Sequence, residues 1–178
     1  MVLLSSANLE LGSPAQDFNL QGIDGKFYSL MNFDHAKVLV VVFMCNHCPY
    51  VQRIWKDLVD LQLKYLNQEV NFVGINPNFH PDYPDENLVN MAEQAKLYRM
   101  NFPYLLDETQ MVAKRYGAQC TPDIFVFDEG RELRYHGRID DGELDRFLAN
   151  MLRDEVSLEV QNPSMGCSIK WQGADDSA

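Results

Sequence analysis

VLVVVFMCNHCPYV, Val38 to Val51, joins six apolar residues, four of them valine, to two cysteines two residues apart and a proline directly after them. A continuous β-branched run of this kind is expected of a central strand buried on both faces. Downstream, Val51, Ile54, Trp55, Leu58, Leu61 and Tyr65 recur at helical spacing, with Arg53, Lys56, Asp57 and Asp60 mostly on the opposite side. That pattern is a long amphipathic helix. VNFVGIN (Val70 to Asn76) is a second buried run, and strand, helix and strand in this order make a right-handed parallel crossover. The cysteines therefore belong at the carboxyl end of a central strand, where the helix begins.

Working outward, Gly12 to Phe33 carries Asp24-Gly25 between short apolar stretches, which is hairpin chemistry because both residues tolerate positive φ. Leu88, Met91, Ala92, Ala95 and Tyr98 form a helical stripe that Asp85 can cap. A short strand at Tyr104 to Leu106 and a short helix from Thr109 to Tyr116 follow. Ile124 to Phe127, the turn Asp128-Glu129-Gly130 and Glu132 to His136 make an antiparallel hairpin. The last helix runs from Asp141 to about Arg153. The whole chain, 1–178, reads as one domain with its core over about 12–153 and an irregular tail over about 154–178.

Of the residues, 46% are hydrophobic, enough for a core that needs no structural disulfide. The formal net charge of -11 argues against a nucleic-acid or anionic-membrane partner, both of which need basic patches. The first residues, MVLLSSANLELGSP, have a short apolar run without a basic flank, so a cytoplasmic location is expected. There a C-x-x-C pair is more often catalytic or metal-binding than a structural bridge.

If the helix starts near Cys45, the unpaired N–H groups and positive dipole of its first turn favour a Cys45 thiolate, and Cys48 falls in that turn. Cys45 is then the nucleophile, and Cys48 resolves the mixed disulfide formed on it. Pro49 is tolerated where the helix lacks N–H partners. His47 either adds positive charge beside the thiolate or is an exposed loop residue. A zinc or copper clip using Cys45, Cys48 and either Cys120 or a histidine is the competing chemistry; the expectation is a metal-free pair, with Cys120 at most an accessory thiol. In CTPDIFVF, Cys120 to Phe127, the proline opens a strand, as punctuation or as a cis turn. Cys167, in SMGCSIKW, is either a small hydrophobe packed with Trp171 or a third thiol that reaches the Cys45–Cys48 disulfide. Arg138, Asp140 and Asp141 read as a hairpin exit and helix-capping acids. His35 and His80 read as loop residues and His136 as packing.

Taken together, GSPAQDFNL, FMCNHCPYV, FPYLLDETQMVAKRYGAQCTPDIFVFD, YHGRIDD and SMGCSIKW resemble the peroxiredoxin-like branch of the redoxins, within the alkyl hydroperoxide reductase and thiol-specific antioxidant grouping. The resemblance covers about Gly12 to Trp171. It implies an α/β, thioredoxin-like fold: a central mixed β-sheet flanked by helices, with an N-terminal β-hairpin extension. It also implies that Thr121-Pro122 is the cis-proline turn facing Cys45 and Cys48, where exposed backbone can pair with an extended substrate.

Two departures qualify the chemistry. The peroxidatic pattern P-x-x-x-T-x-x-C is absent: counting back from Cys48 gives Cys45 and Val41, and from Cys45 gives Val42 and Val38. Nor is there the tryptophan that precedes thioredoxin's cysteine pair, or an acid on the preceding strand; Met44 precedes Cys45 and VLVVVF is wholly apolar. The expected activity is thiol–disulfide exchange through Cys45 and Cys48, without an organic cofactor and with little peroxidase activity. The expected partners are protein or small-molecule disulfides and thiols, with the electron donor left open. A metal-binding module and a redox-sensing binding protein are the alternatives on the same fold.

Overall fold

The computed structural model describes residues 3–155 and 160–173. Its strands are β1 (Leu3–Ser5), β2 (Leu20–Gly22), β3 (Phe27–Tyr28), β4 (Val38–Phe43), β5 (Val70–Asn76), β6 (Tyr104–Leu106), β7 (Cys120–Thr121), β8 (Asp123–Phe127), β9 (Leu133–Gly137) and β10 (Met165–Ser168). The helices are α1 (Pro49–Tyr65), α2 (Leu88–Leu97), α3 (Met111–Tyr116) and α4 (Glu143–Leu152). Seven strands form a mixed sheet in the order β3-β2-β6-β5-β4-β8-β9. Strands β4, β5 and β6 run parallel, β8 and β9 continue antiparallel on one side, and the β2–β3 hairpin closes the other.

All six residues of β4 are buried, and their alternation divides the core. Val38, Val40 and Val42 point into the layer holding Ile54, Trp55 and Leu58 of α1 and Leu144 and Leu148 of α4. Leu39, Val41 and Phe43 point into the layer holding Val112, Ala113 and Tyr116 of α3. Each such side chain contributes about 1.5–3 kcal/mol by leaving water, which is why a run without polar alternation settles at the sheet centre. Trp55 stacks on Tyr98 at 4.8 Å and meets Tyr104 edge-on at 5.6 Å, tying α1 to the chain after α2 and to β6.

Three expectations change. Helix α1 starts at Pro49, not near Cys45, and Cys48 is its N-cap residue; proline suits the first helical position because its missing N–H has no partner there. Helix α2 is capped by Asn87, whose side chain accepts from the Asn90 N–H, rather than by Asp85. The tail is not irregular throughout: β10 pairs antiparallel with both β1 and β7 in a second, three-stranded sheet ordered β1-β10-β7. Residues 156–159 and 174–178 of that tail lie outside the described residues. No helix among the described residues is long and apolar enough to cross a membrane.

Candidate active site

The loop between β4 and α1 carries Cys45, Asn46, His47 and Cys48, and a buried carboxylate holds it in place. Glu86 accepts from the backbone N–H of Asn46 at 3.0 Å, the N–H of His47 at 3.0 Å and Asn76 Nδ2 at 2.6 Å, and it pairs with His47 Nδ1. Asn46 adds bonds from its Nδ2 to the Asp85 carbonyl and to its Oδ1 from the Tyr104 hydroxyl. Burial pushes the Glu86 carboxyl up, but the hydrogen bonds from His47, Asn46 and Asn76 outweigh it and hold Glu86 below the usual carboxylate range. His47 therefore pairs with an acid, and its ring stacks on Tyr83 at 5.0 Å.

Across the loop lies the turn after β7, where the Thr121-Pro122 bond is cis. Cys45 Sγ is 3.2 Å from Thr121 Oγ1, and Cys48 Sγ is 3.1 Å from the Thr121 carbonyl oxygen. Cys167 Sγ approaches Cys48 Sγ to 2.8 Å. All four cysteines are unbridged and all are buried. Cys120 sits one residue before this contact, with its S–H directed to the Pro122 carbonyl at 3.5 Å.

The charge distribution differs from the one expected with α1 beginning at Cys45. Hydrogen bonding of Cys48 with Cys45, with Cys167 and with the Val51 N–H of the first helical turn outweighs burial and lowers it to about 4. The Thr121 carbonyl, which prefers a proton on that sulfur, is the opposing contact. Burial pushes the Cys45 thiol well up, and the neighbouring Cys48 and Glu86 charges add to that rise. The two sulfurs are thus shifted in opposite directions, Cys48 down chiefly through its hydrogen bond with Cys45 and Cys45 up chiefly through burial, and the first turn of α1 adds the Val51 N–H to the Cys48 side.

Cys167 is pushed up to about 12 by burial and by Cys48, and Cys120 is raised by burial and by the charges of Asp123 and Cys48. Asp123, directly after Pro122, is buried and pairs with His136 Nε2 at 2.7 Å, while Phe125 stacks on the His136 ring at 4.3 Å. His136 is therefore packed, as expected, but packed as half of a buried acid–imidazole pair. Arg138 bonds Glu143 and Asp141, and Arg53 reaches Asp140, so these residues tie the entry of α4 together. Among the described residues the metal-ligating atoms that converge, within 4.8 Å of one another, belong to Cys45, His47 and Glu86 rather than to a trio including Cys120.

Glu86 and Asp123 are the polar residues that sequence reasoning missed. Glu86 stands in the acidic, proline-rich stretch NPNFHPDYPDEN, where nothing local separates it from its solvated neighbours. Asp123 follows the proline as the first residue of a strand whose other positions are all apolar, and an acid at that place was the available signal.

Residues 11–136 match the AhpC/TSA family. The chain belongs to that family. It is a thioredoxin-fold redoxin of the AhpC/TSA type, similar over 98% of its length to an uncharacterized conserved protein from Geobacillus kaustophilus, with 38% identity, a TM-score of 0.93 and 99% of that chain covered. The thioredoxin domain of thiol-disulfide oxidoreductase BVU-2223 from Bacteroides vulgatus shares the fold, with a TM-score of 0.69 at 15% identity over 82% of this chain and 99% of that one. In sequence the AhpC/TSA chain is also 23% identical over 124 residues to the thiol-disulfide oxidoreductase ResA of Geobacillus thermodenitrificans, covering 70% of this chain and 67% of that protein. The chain spans 65% of two further ResA proteins, from Bacillus species.

Proposed function

We propose that this protein is a thiol–disulfide oxidoreductase in which Cys48 carries the reactive thiolate and Cys45 is its resolving partner. The observation that carries the reading is the convergence on Cys48 Sγ of the α1 N-terminus, the Cys45 thiol and the Cys167 thiol. The name of the ResA relative supports the reaction class. The Cys48 thiolate attacks one sulfur of a substrate disulfide, and the other sulfur leaves with the electron pair and takes a proton. Cys45 then loses its proton and attacks Cys48 Sγ, forming Cys45–Cys48 and releasing the second substrate thiolate. No organic cofactor takes part. A net charge of -11 suits neutral or basic disulfide partners better than acidic ones, and the reducing cytoplasm is the compartment proposed.

The test is reduction of an exposed protein disulfide by dithiothreitol. Wild type accelerates it, Cys48→Ser abolishes the acceleration, and with Cys45 and Cys167 both changed to serine a mixed disulfide persists on Cys48. Full activity in Cys48→Ser contradicts the reading. With threonine and proline absent from the peroxidatic positions, hydrogen peroxide turnover is expected to be slow.

A second reading rests on Cys45, His47 and Glu86, together with a buried His47 Nε2 that has no hydrogen-bond partner. A zinc or copper ion there has to compete with the N–H donors already on both Glu86 oxygens, which is why the redox reading leads. One metal per chain by elemental analysis, lost in His47→Ala, supports this second reading.

A further inference from the structure

The edge beside the Thr121-Pro122 turn is not open to an extended peptide in this structure, because β10 already lies along it. Cys167 pairs with Thr121 and Ser168 with Cys120 in an antiparallel register. The approach depends on glycine: a Cβ on Gly166 would stand 2.0 Å from the Thr121 carbonyl oxygen. The strand is also fixed at both ends. Before it, the buried Ser164 donates its Oγ–H to the Gly137 carbonyl at 2.7 Å and its N–H to Ser6 Oγ at 3.0 Å. After it, the Lys170 N–H bonds Asn78 Oδ1 at 3.0 Å and the Gln172 N–H bonds Gln110 Oε1 at 2.7 Å. Between these anchors one side chain, Cys167, is brought to 2.8 Å from the sulfur of Cys48.

A peptide paired with a strand edge through main-chain bonds, its side chain delivered to a reactive group, is how an extended substrate docks. We propose that β10 is a built-in substrate strand, offering Cys167 as a thiol with which Cys48 exchanges, so that one disulfide passes between Cys45–Cys48 and Cys48–Cys167 within a single chain. The proposal rests on the thiol–disulfide reading above and adds a third redox residue to it.

The step balances without any added oxidant. Cys167 gives up its proton and attacks Cys48 Sγ of the Cys45–Cys48 disulfide; the Cys48–Cys167 bond forms as the bond to Cys45 breaks. Cys45 leaves with the electron pair and takes up a proton, so three sulfurs hold one disulfide and one thiol before and after. The Cys48 charge that helps keep Cys167 protonated is gone once Cys48 is in a disulfide, so Cys167 becomes the better nucleophile at the stage when the exchange is possible. Because both disulfides use Cys48, they exclude each other, and Cys45 regains its thiol without an external reductant.

The experiment is disulfide mapping of the full chain. Reduced protein is oxidised with oxidised glutathione, quenched in acid, alkylated, digested and read by mass spectrometry. Wild type yields both Cys45–Cys48 and Cys48–Cys167 peptides, and Cys45→Ser, checked for native circular dichroism, yields Cys48–Cys167. Cys45–Cys48 alone in wild type, with only glutathionylated Cys48 in Cys45→Ser, overturns the relay and leaves the oxidoreductase reading standing. Neither disulfide in wild type overturns both.

Discussion

The two sheets of this molecule are built in opposite ways. The seven-stranded sheet centres on β4, where every residue is buried and the two faces feed two apolar layers. The three-stranded sheet is made of strands of two to four residues: β1 is exposed throughout, and β10 is Met165, Gly166, Cys167 and Ser168, with Met165 in solvent. One sheet carries the apolar core; the other lies over the buried sulfurs of Cys48 and Cys120, held by a few main-chain and side-chain hydrogen bonds. Segments with few buried apolar contacts open at lower free energy than the global fold, so opening of the small sheet is the expected route by which Cys48 becomes accessible.

Breaking the large sheet's packing has the largest expected effect. Trp55→Ala removes a fully buried indole together with its stacking on Tyr98 and its edge contact with Tyr104, and a loss of about 3–5 kcal/mol is expected from urea unfolding. Gly166→Ala sharpens the contrast. The new methyl forces β10 away from Thr121, and the expected loss is smaller, about 1–3 kcal/mol. Alkylation of Cys48 by iodoacetamide is expected to rise about tenfold for each 1.4 kcal/mol by which opening becomes easier. An unchanged alkylation rate in Gly166→Ala contradicts the role of β10 as the cover.

The same contrast governs what the sequence discloses. Val38–Phe43, Val70–Asn76 and Tyr104–Leu106 are strands with the bounds their apolar runs imply, because burial on both faces writes itself into every position. The hairpin around Asp24-Gly25 and the cis bond at Thr121-Pro122 were likewise readable from turn chemistry and from resemblance. Strand β10 was not: four residues with one glycine and no alternation give no periodic signal, and its position depends on partners more than 40 residues away in β7 and at the opposite end of the chain in β1. Glu86 was hidden for the same reason, since its bonds to Asn46 and His47 span about 40 positions of sequence. The start of α1 is the other departure from the sequence reading: Pro49 takes the first helical position and puts the cap on Cys48, the sulfur to which we assign the thiolate.

That assignment is the claim on which the proposed chemistry turns, and titration of thiolate absorbance in the ultraviolet tests it most directly. The Cys48 value of about 4 lies below the roughly 8.5 of an unfolded thiol, so its ionisation favours the folded state. This contribution is fully present above about pH 8.5 and is lost as pH falls through the folded value. Wild type at neutral pH should therefore show one thiolate per chain, disappearing only as pH falls toward 4, and Cys48→Ser should show none in that range. A thiolate that survives in Cys48→Ser and vanishes in Cys45→Ser would return the charge to Cys45 and contradict the account.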